Sequence, residues 1–404
     1  MPGGVETVIV GGGPAGASAA IACSVHGARA IIVDRREVIG RPVQCAEGYT
    51  PLLGEMSIVD LPDRLTVWRT EGTIFRFDGE ERKVDGRMWS TNMIDRAELD
   101  SCLYNSAMGL GARRITGEVS DFDDASLHLS DGREVPYGRL IIADGADSVF
   151  LDPQDKKRSV AYVRSYEVRG GEVPDPRRST MFIGDYCEKG YGYIFPRGKR
   201  SANIGLGGLV DRDELERRFE EFCEEPEVKG ILKRSEVVAD KSGCAPLFGS
   251  RMRKELSGAI MVGDAANHNL KPFVEGFIIS SICGYLAGAA LSLRPAEDAK
   301  RFFDTLSRRY LGDLLEEGQR SFDKLCGAWD ALSAGEIVRE LIDTDLEGLI
   351  PAGRDRFAYW YASMMMRRRK RELRRTIRFP GTAGAPGIGA GECASLPGKS
   401  PERP

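Results

Sequence analysis

The segment from Val5 to Arg36 constrains this 404-residue chain more than any other. A short β-rich run, Val5 to Val10, breaks into Gly11-Gly12-Gly13-Pro14-Ala15-Gly16. An Ala-rich helical stretch follows, and a second β run, Ala28 to Val33, closes on Asp34. Strand, glycine turn, helix, strand and terminal acid in this order make a βαβ unit with GxGxxG at the strand-to-helix turn. Gly11 permits the tight turn, Gly13 lets the backbone approach a pyrophosphate, and Gly16 lets helix and strand pack closely. The free N–H groups of the helix N-terminus favour phosphate, and Asp34 is placed to accept from ribose hydroxyls. A glycine turn alone is as often structural as ligand-binding. Here the ordered context points to a dinucleotide.

Composition narrows the class. A content of 42% hydrophobic and 29% charged residues is that of an ordinary globular protein, and a formal net charge of −4 argues against general nucleic-acid binding. Nine cysteines are scattered without a CxxC pair, which reads as reduced thiols rather than a disulfide framework or a metal site. With only His26, His128 and His268, no His-rich metal centre is expected. The chain enters its first strand almost at once, which leaves no room for a signal peptide. The expected location is the cytoplasm.

Further along, Gly40 to Gly48 reads as a polar loop, and residues 62–92 alternate like strands of a small sheet inserted into the nucleotide domain. Asp95 to Gly109 reads as a helix. A β region from about Arg113 to Leu140 turns at Asp131-Gly132 and leads into Ala143-Asp144-Gly145. Residues 160–208 are strand-like again, 213–235 charged and helical, and Leu256 to Val262 an apolar strand entering Gly263-Asp264-Ala265-Ala266.

From Phe273 to Leu293 the chain is strongly apolar, with Glu275 its only charge. Its length suits a membrane span. Because Gly276, Gly284 and Gly288 interrupt it directly after a nucleotide-type motif, a helix buried against the sheet is the better reading. Arg294 to Arg378 is largely helical and ends in Met364-Met365-Met366-Arg367-Arg368-Arg369-Lys370. That stretch is either a solvated helix end or a contact with anionic lipid headgroups. The Gly-, Pro- and Ser-rich tail from Pro380 is expected to be mobile.

Four separated signals now stand in one order: GxGxxG, Arg96 at a helix start, Asp144-Gly145, and Gly263-Asp264-Ala265-Ala266. Together they resemble flavoproteins of the p-hydroxybenzoate-hydroxylase fold. Pro42-Val43-Gln44-Cys45-Ala46-Glu47-Gly48 resembles the PxxCxEG loop of the geranylgeranyl reductase family. Tyr191-Gly192-Tyr193-Ile194-Phe195-Pro196, with Gly205-Leu206-Gly207 after it, is similar to that family's YxWxFP-x8-GxG signature. The resemblance spans roughly residues 5–290. It implies an α/β fold: a Rossmann-like FAD-binding domain with an inserted antiparallel β-sheet substrate domain and a helical C-terminal region. The boundaries expected are 1–158 for the first part of the FAD domain with a β insertion near 50–92, 159–252 for the substrate sheet, 253–294 for the return to the FAD domain, 295–380 for the helical region and 381–404 for the tail.

The resemblance further implies bound FAD and reduction of prenyl double bonds, as on archaeal ether lipids carrying geranylgeranyl chains. The FAD contacts it assigns are Gly11, Gly13, Ala15, Gly16, Asp34, Cys45, Ala46, Gly48, Arg96, Val119, Asp264, Gly276 and Phe277. Tyr191, Tyr193 and Phe195 would line a lipid cavity beside the flavin, with Cys45, Tyr191 and Tyr193 as catalytic candidates. Three departures stand out. Tyr193 replaces a Trp, Lys271-Pro272-Phe273-Val274-Glu275-Gly276-Phe277 replaces a more glycine-rich stretch, and Asn267-His268-Asn269 is bulkier than expected. Glu275 there would oppose an anionic flavin unless Lys271 offsets it.

Saturating an unactivated alkene takes a hydride and a proton through a state with carbocation character, which an aromatic, water-excluding cavity favours. Cys45 is either a thiol acting at the flavin or a small packing residue. His268 reads as structural before it reads as a proton relay, and Glu47 as the cap of a turn. The electron donor is left open between NADPH, a ferredoxin and another carrier. A monooxygenase of the same fold, a flavoprotein passing electrons to quinones and a flavin-binding scaffold without enzymatic activity are the competing functions.

Overall fold

The computed structural model describes residues 6–59, 61–186, 188–312, 314–347 and 355–381. Val5 and the tail beyond residue 381 lie outside these residues. Five parallel strands form the nucleotide sheet in the spatial order Ala259–Met261, Arg139–Ile142, Glu6–Val10, Arg29–Asp34 and Arg113–Thr116. Their Val- and Ile-rich runs are buried on both faces, as a parallel sheet covered by helices requires. The architecture is α/β, with a Rossmann-like FAD-binding region, an inserted β-sheet unit and a C-terminal helical bundle.

The helix Pro14–Val25 leaves the glycine turn and packs against the apolar helix Phe277–Leu293. A Cβ on Gly284 would stand 2.0 Å from the carbonyl oxygen of Ala15, and one on Gly288 2.2 Å from that of Ala19. Glycine at these two turns lets the backbones touch. The apolar stretch is therefore buried chiefly against a second helix, where the sequence pointed to the sheet. Among the described residues no helix is long and apolar enough to cross a membrane.

The second large sheet has seven strands in the order Glu236–Pro246, Val160–Arg169, Ser201–Gly208, Tyr191–Gly198, Arg178–Phe182, Gly72–Phe77 and Glu80–Asp85. The last two form a hairpin expected to belong to a small sheet of the nucleotide unit. Instead Gly72–Phe77 runs parallel to Arg178–Phe182 and extends the substrate sheet. Only Thr66–Arg69 and Asn92–Ile94 stay behind, in a three-stranded sheet with Gly48–Tyr49. Phe75, on the hairpin, is fully buried, and it can be so only against the larger sheet and the helices above it. A meander of Val119–Phe122, Ser126–Leu129 and Glu134–Pro136 turns at Gly132, φ +85°.

Helices Ala296–Leu311, Leu314–Ala328, Ala334–Glu347 and Asp355–Leu373 complete the chain. Leu325, Leu341 and Tyr359 from three of them join Phe75, Trp89, Tyr193 and Phe195 in one apolar cluster, so the C-terminal helices roof one face of the seven-stranded sheet. Cys23, Cys45, Cys223, Cys244, Cys283 and Cys326 are free thiols.

Candidate functional site

One cavity of about 870 Å³ runs from the glycine turn to the underside of the C-terminal helices. At its nucleotide end Gly11 has φ +99°, and a Cβ there would meet the Ala143 carbonyl oxygen at 2.2 Å, so no other residue fits the turn. Gly13, by contrast, meets nothing closer than Arg36 at 3.9 Å and leaves its face open to a ligand. Gly16 does not line the cavity, contrary to its assignment as a contact. A Cβ on it would strike the Gly11 carbonyl oxygen at 1.8 Å, so it closes the turn from behind.

Asp34 accepts from the Gly12 N–H at 2.6 Å and from the Arg36 N–H at 2.8 Å, and it pairs with the Arg36 guanidinium at 3.0 and 2.7 Å. Burial pushes its carboxyl up, but Arg36 and the two amides outweigh that and hold it below the usual range. A ribose hydroxyl reaching Asp34 therefore takes the place of Arg36, which the sequence reading did not single out. Val119 lines the same end beside Gly117 and Glu118.

The helix N-termini at Gly13 and Gly276 both face the cavity, and neither is capped by a side chain. Their unpaired N–H groups suit a pyrophosphate at the first and an electron-rich ring at the second. Asp144 and Asp264 stand between them. Burial raises each carboxyl to about 6, in Asp264 against the pull of Lys271 and Arg96, and among the described residues Asp144 Oδ1 is buried without a hydrogen-bond partner. Uncapped helix ends, an orphaned carboxylate oxygen and an open glycine face fit the phosphates and hydroxyls of FAD, the cofactor this fold binds.

Phe277 caps this region from below. The Arg96 guanidinium lies 4.5 Å from its ring centroid and pairs with Asp100 at 3.1 and 3.2 Å. Glu275 does not project freely toward the ring site. Its carboxylate accepts from the Thr50 N–H and hydroxyl, each at 3.0 Å. Lys271 is buried, and its ammonium donates to Pro246 O at 2.8 Å, to Asn267 Oδ1 at 3.0 Å and to Asn269 Oδ1. The two bulky asparagines thus serve as acceptors for the lysine. Burial lowers the Lys271 ammonium to about 7, with Asp264 acting to raise it. Val274 holds φ +59°, a strained value for a β-branched residue. His268 lies outside the cavity lining and accepts from the Gly263 N–H at 3.3 Å, and burial lowers it to about 4.

The loop carrying Cys45, Ala46 and Gly48 forms the cavity's waist. Cys45 Sγ accepts from the Glu47 N–H at 3.2 Å. Glu47, φ +68° and 2% exposed, is far more than a turn cap. Its Oε1 accepts from the Arg96 N–H at 3.1 Å, while Oε2 accepts from Arg197 at 2.6 Å, Lys241 at 2.7 Å and Asn203 at 3.0 Å. Glu167 completes the network, 3.2 Å from Lys241. Burial raises both carboxyls, but Arg197 and Lys241 outweigh it, holding Glu47 below the ordinary range and Glu167 at about 2. No local sequence pattern signals this network, because its members lie far apart in the chain.

Beyond the waist the lining becomes aromatic. Tyr191, Tyr193 and Phe195 alternate along one strand and therefore share one face. Tyr193 stacks on Phe195 at 4.6 Å, and Tyr191 meets Phe273 edge-on at 6.2 Å, which in turn meets Trp89 at 6.3 Å. Tyr191 donates to the Phe273 carbonyl at 3.1 Å. Burial raises both tyrosines, which keeps them neutral. Leu247, Phe322 and Leu341 also line the cavity. The arrangement can seat a flat, phosphate-bearing cofactor against an aromatic tunnel. Among the described residues no group of His, Cys, Asp or Glu is placed to hold a metal ion.

Comparison with known proteins fits this geometry. A family model described as pyridine nucleotide-disulphide oxidoreductase matches residues 5–171. The chain is 26% identical over 361 residues to a digeranylgeranylglycerophospholipid reductase of Methanococcus aeolicus, covering 86% of this chain and 90% of that protein. It is 28% identical over 371 residues to digeranylgeranylglycerophospholipid reductase 2 of Methanopyrus kandleri, with the same coverages of 86% and 90%. A solved geranylgeranyl bacteriochlorophyll reductase-like protein from Thermoplasma acidophilum superposes with TM-score 0.69 at 18% identity, over 92% of this chain and 98% of that one. A flavin-dependent brominase superposes with TM-score 0.61 at 18% identity, over 92% and 100%.

Proposed function

We infer that this chain belongs to the geranylgeranyl reductase family of FAD-dependent oxidoreductases, saturates isolated prenyl double bonds and takes as substrate an ether phospholipid bearing geranylgeranyl chains. The observation that carries this reading is the aromatic tunnel of Tyr191, Tyr193, Phe195, Phe273 and Trp89 opening directly from the residues suited to FAD. A prenyl chain offers only apolar surface and π-bonds, and this lining matches it.

Bound FAD, once reduced, supplies the hydride. The protein's part is to hold the alkene beside it, exclude water and tolerate developing positive charge. Neutral Tyr191 and Tyr193 present electron-rich faces to that charge. Gly11, Gly13, Ala15, Asp34, Cys45, Ala46, Gly48, Arg96, Val119, Asp264, Gly276 and Phe277, which line one cavity, would hold the cofactor. Cys45 Sγ, held by the Glu47 amide, is the residue proposed to act at the reaction centre. The electron donor is NADPH, a ferredoxin or another carrier, since the sequence holds one dinucleotide fingerprint.

The decisive experiment is anaerobic. The protein's FAD is reduced chemically, digeranylgeranylglycerophospholipid is added, and flavin absorbance and lipid mass are followed. Flavin reoxidation with lipid mass gains in steps of two hydrogens is expected, by the stoichiometry of hydride plus proton. If the flavin stays reduced until oxygen or a quinone is admitted, the monooxygenase or electron-carrier reading replaces this one.

A further inference from the structure

The helix Asp355–Leu373 has two faces with different tasks. Tyr359, Ala362 and Met366 point inward and are buried, and Tyr359 joins the apolar cluster of Tyr193, Phe195 and Leu341. The opposite face carries Trp360, Tyr361 and Met364, exposed at 57%, 44% and 40%, and then exposed Arg367, Arg368 and Arg371. At about 100° per residue these six side chains fall within about 120° of the helix circumference, so they form one stripe. Its first half is apolar and aromatic and its second half cationic. Exposed Arg374, Arg375 and Arg378 continue the charge past the helix end. Glu55 lies 3.3 Å from Arg367 and Glu372 lies 3.1 Å from Arg368, which leaves the stripe with excess positive charge.

A solvated helix end accounts for the arginines but not for three large apolar side chains clustered beside them. Aromatic residues at headgroup depth with flanking arginines are the composition of a helix lying on an anionic bilayer. An acidic protein would engage the arginines and leave Trp360, Tyr361 and Met364 without a matching surface.

We propose that this face of helix Asp355–Leu373 docks on an anionic lipid surface, seating the roof of the aromatic tunnel against the membrane that supplies the prenyl chains. The proposal rests on the prenyl-lipid reading above for its purpose, but its test does not. The FAD-loaded full-length protein is centrifuged with vesicles of phosphatidylcholine alone or mixed with phosphatidylglycerol. Association with the mixed vesicles alone, weakening as salt rises, is expected. Each arginine at an anionic surface contributes roughly fivefold to partitioning, so Arg367→Gln, Arg368→Gln and Arg371→Gln together lower it by about two orders of magnitude. Trp360→Ser with Met364→Ser weakens it independently of salt. Both sets keep the flavin spectrum and the turnover of a detergent-dispersed prenyl substrate, and lose turnover of the same lipid in vesicles. Failure of the native protein to sediment with anionic vesicles, or equal binding by the arginine variant, overturns the proposal. So does a result in which these arginines govern only reduction by an acidic electron-transfer protein. Vesicle binding without prenyl reduction leaves the docking face standing and removes the substrate reading.

Discussion

The ring of Tyr193 lies flat across Gly205 of the neighbouring strand, where a Cβ would stand 2.3 Å from the Tyr193 ring and its hydroxyl oxygen. The small residue opposite the aromatic strand is therefore what lets the tunnel wall lie down. It gives the pairing of an aromatic FP strand with a GxG strand a steric cause.

Gly205→Ala is expected to force the ring off its seat and to cost about 1–3 kcal/mol, as overpacking does. A urea titration reads this directly, and an unchanged midpoint means the ring yields freely. Tyr193→Phe is expected to behave in the opposite way. Among the described residues the Tyr193 hydroxyl is buried without a well-placed hydrogen-bond partner, so its removal is expected to be neutral or stabilising.

Glu47→Gln removes the charge that faces Arg197 and Lys241. Breaking a buried pair of this kind costs about 3–5 kcal/mol. The pH dependence follows from the direction of the shifts. Glu47 and Glu167 have folded values below their unfolded one, so their stabilisation is present above about 4.5 and is lost as pH falls, for Glu167 toward about 2. Thermal melts between pH 6 and about pH 3 should therefore fall less steeply for Glu47→Gln than for the native chain. Equal slopes would show that the network carries no net linkage.

Asp264 has the reverse sign. Its folded value is raised to about 6, so its contribution to the cofactor-free fold is fullest below 3.8 and is lost as pH rises through about 6. Asp264→Asn should raise the melting temperature of the cofactor-free protein at pH 7 and weaken FAD retention on gel filtration. An aspartate needed only for the fold would not separate the two readouts.

Cys45→Ser tests the waist of the cavity. The hydroxyl can still accept from the Glu47 amide, so FAD binding and melting temperature should be kept while turnover drops about a hundredfold, the lower end for a positioned proton-transfer group. Unchanged turnover with intact flavin would reduce Cys45 to packing.

Local physics explains what could be read in advance. Gly11, with its positive φ and backbone neighbour, is a steric requirement visible as a spacing pattern. The period of two in Tyr191, Tyr193 and Phe195 places them on one face whatever the strand pairs with. The residues brought forward from Gly11 to Phe277, Gly16 apart, do line one cavity.

Sequence alone determined the βαβ unit, the strand and helix character of most segments and the chemistry of the glycine turn, because each depends on residues within a few positions of one another. Tertiary structure alone decided that the hairpin Gly72–Asp85 extends the substrate sheet, and that the apolar helix packs on Ala15 and Ala19 through Gly284 and Gly288. It also decided that Glu47 anchors a network with Arg197, Asn203 and Lys241, more than 150 positions away in the chain for Asn203 and Lys241. Strand partners and buried charge pairs are set by which distant surfaces the fold brings together, and no periodicity or spacing within one segment records that choice.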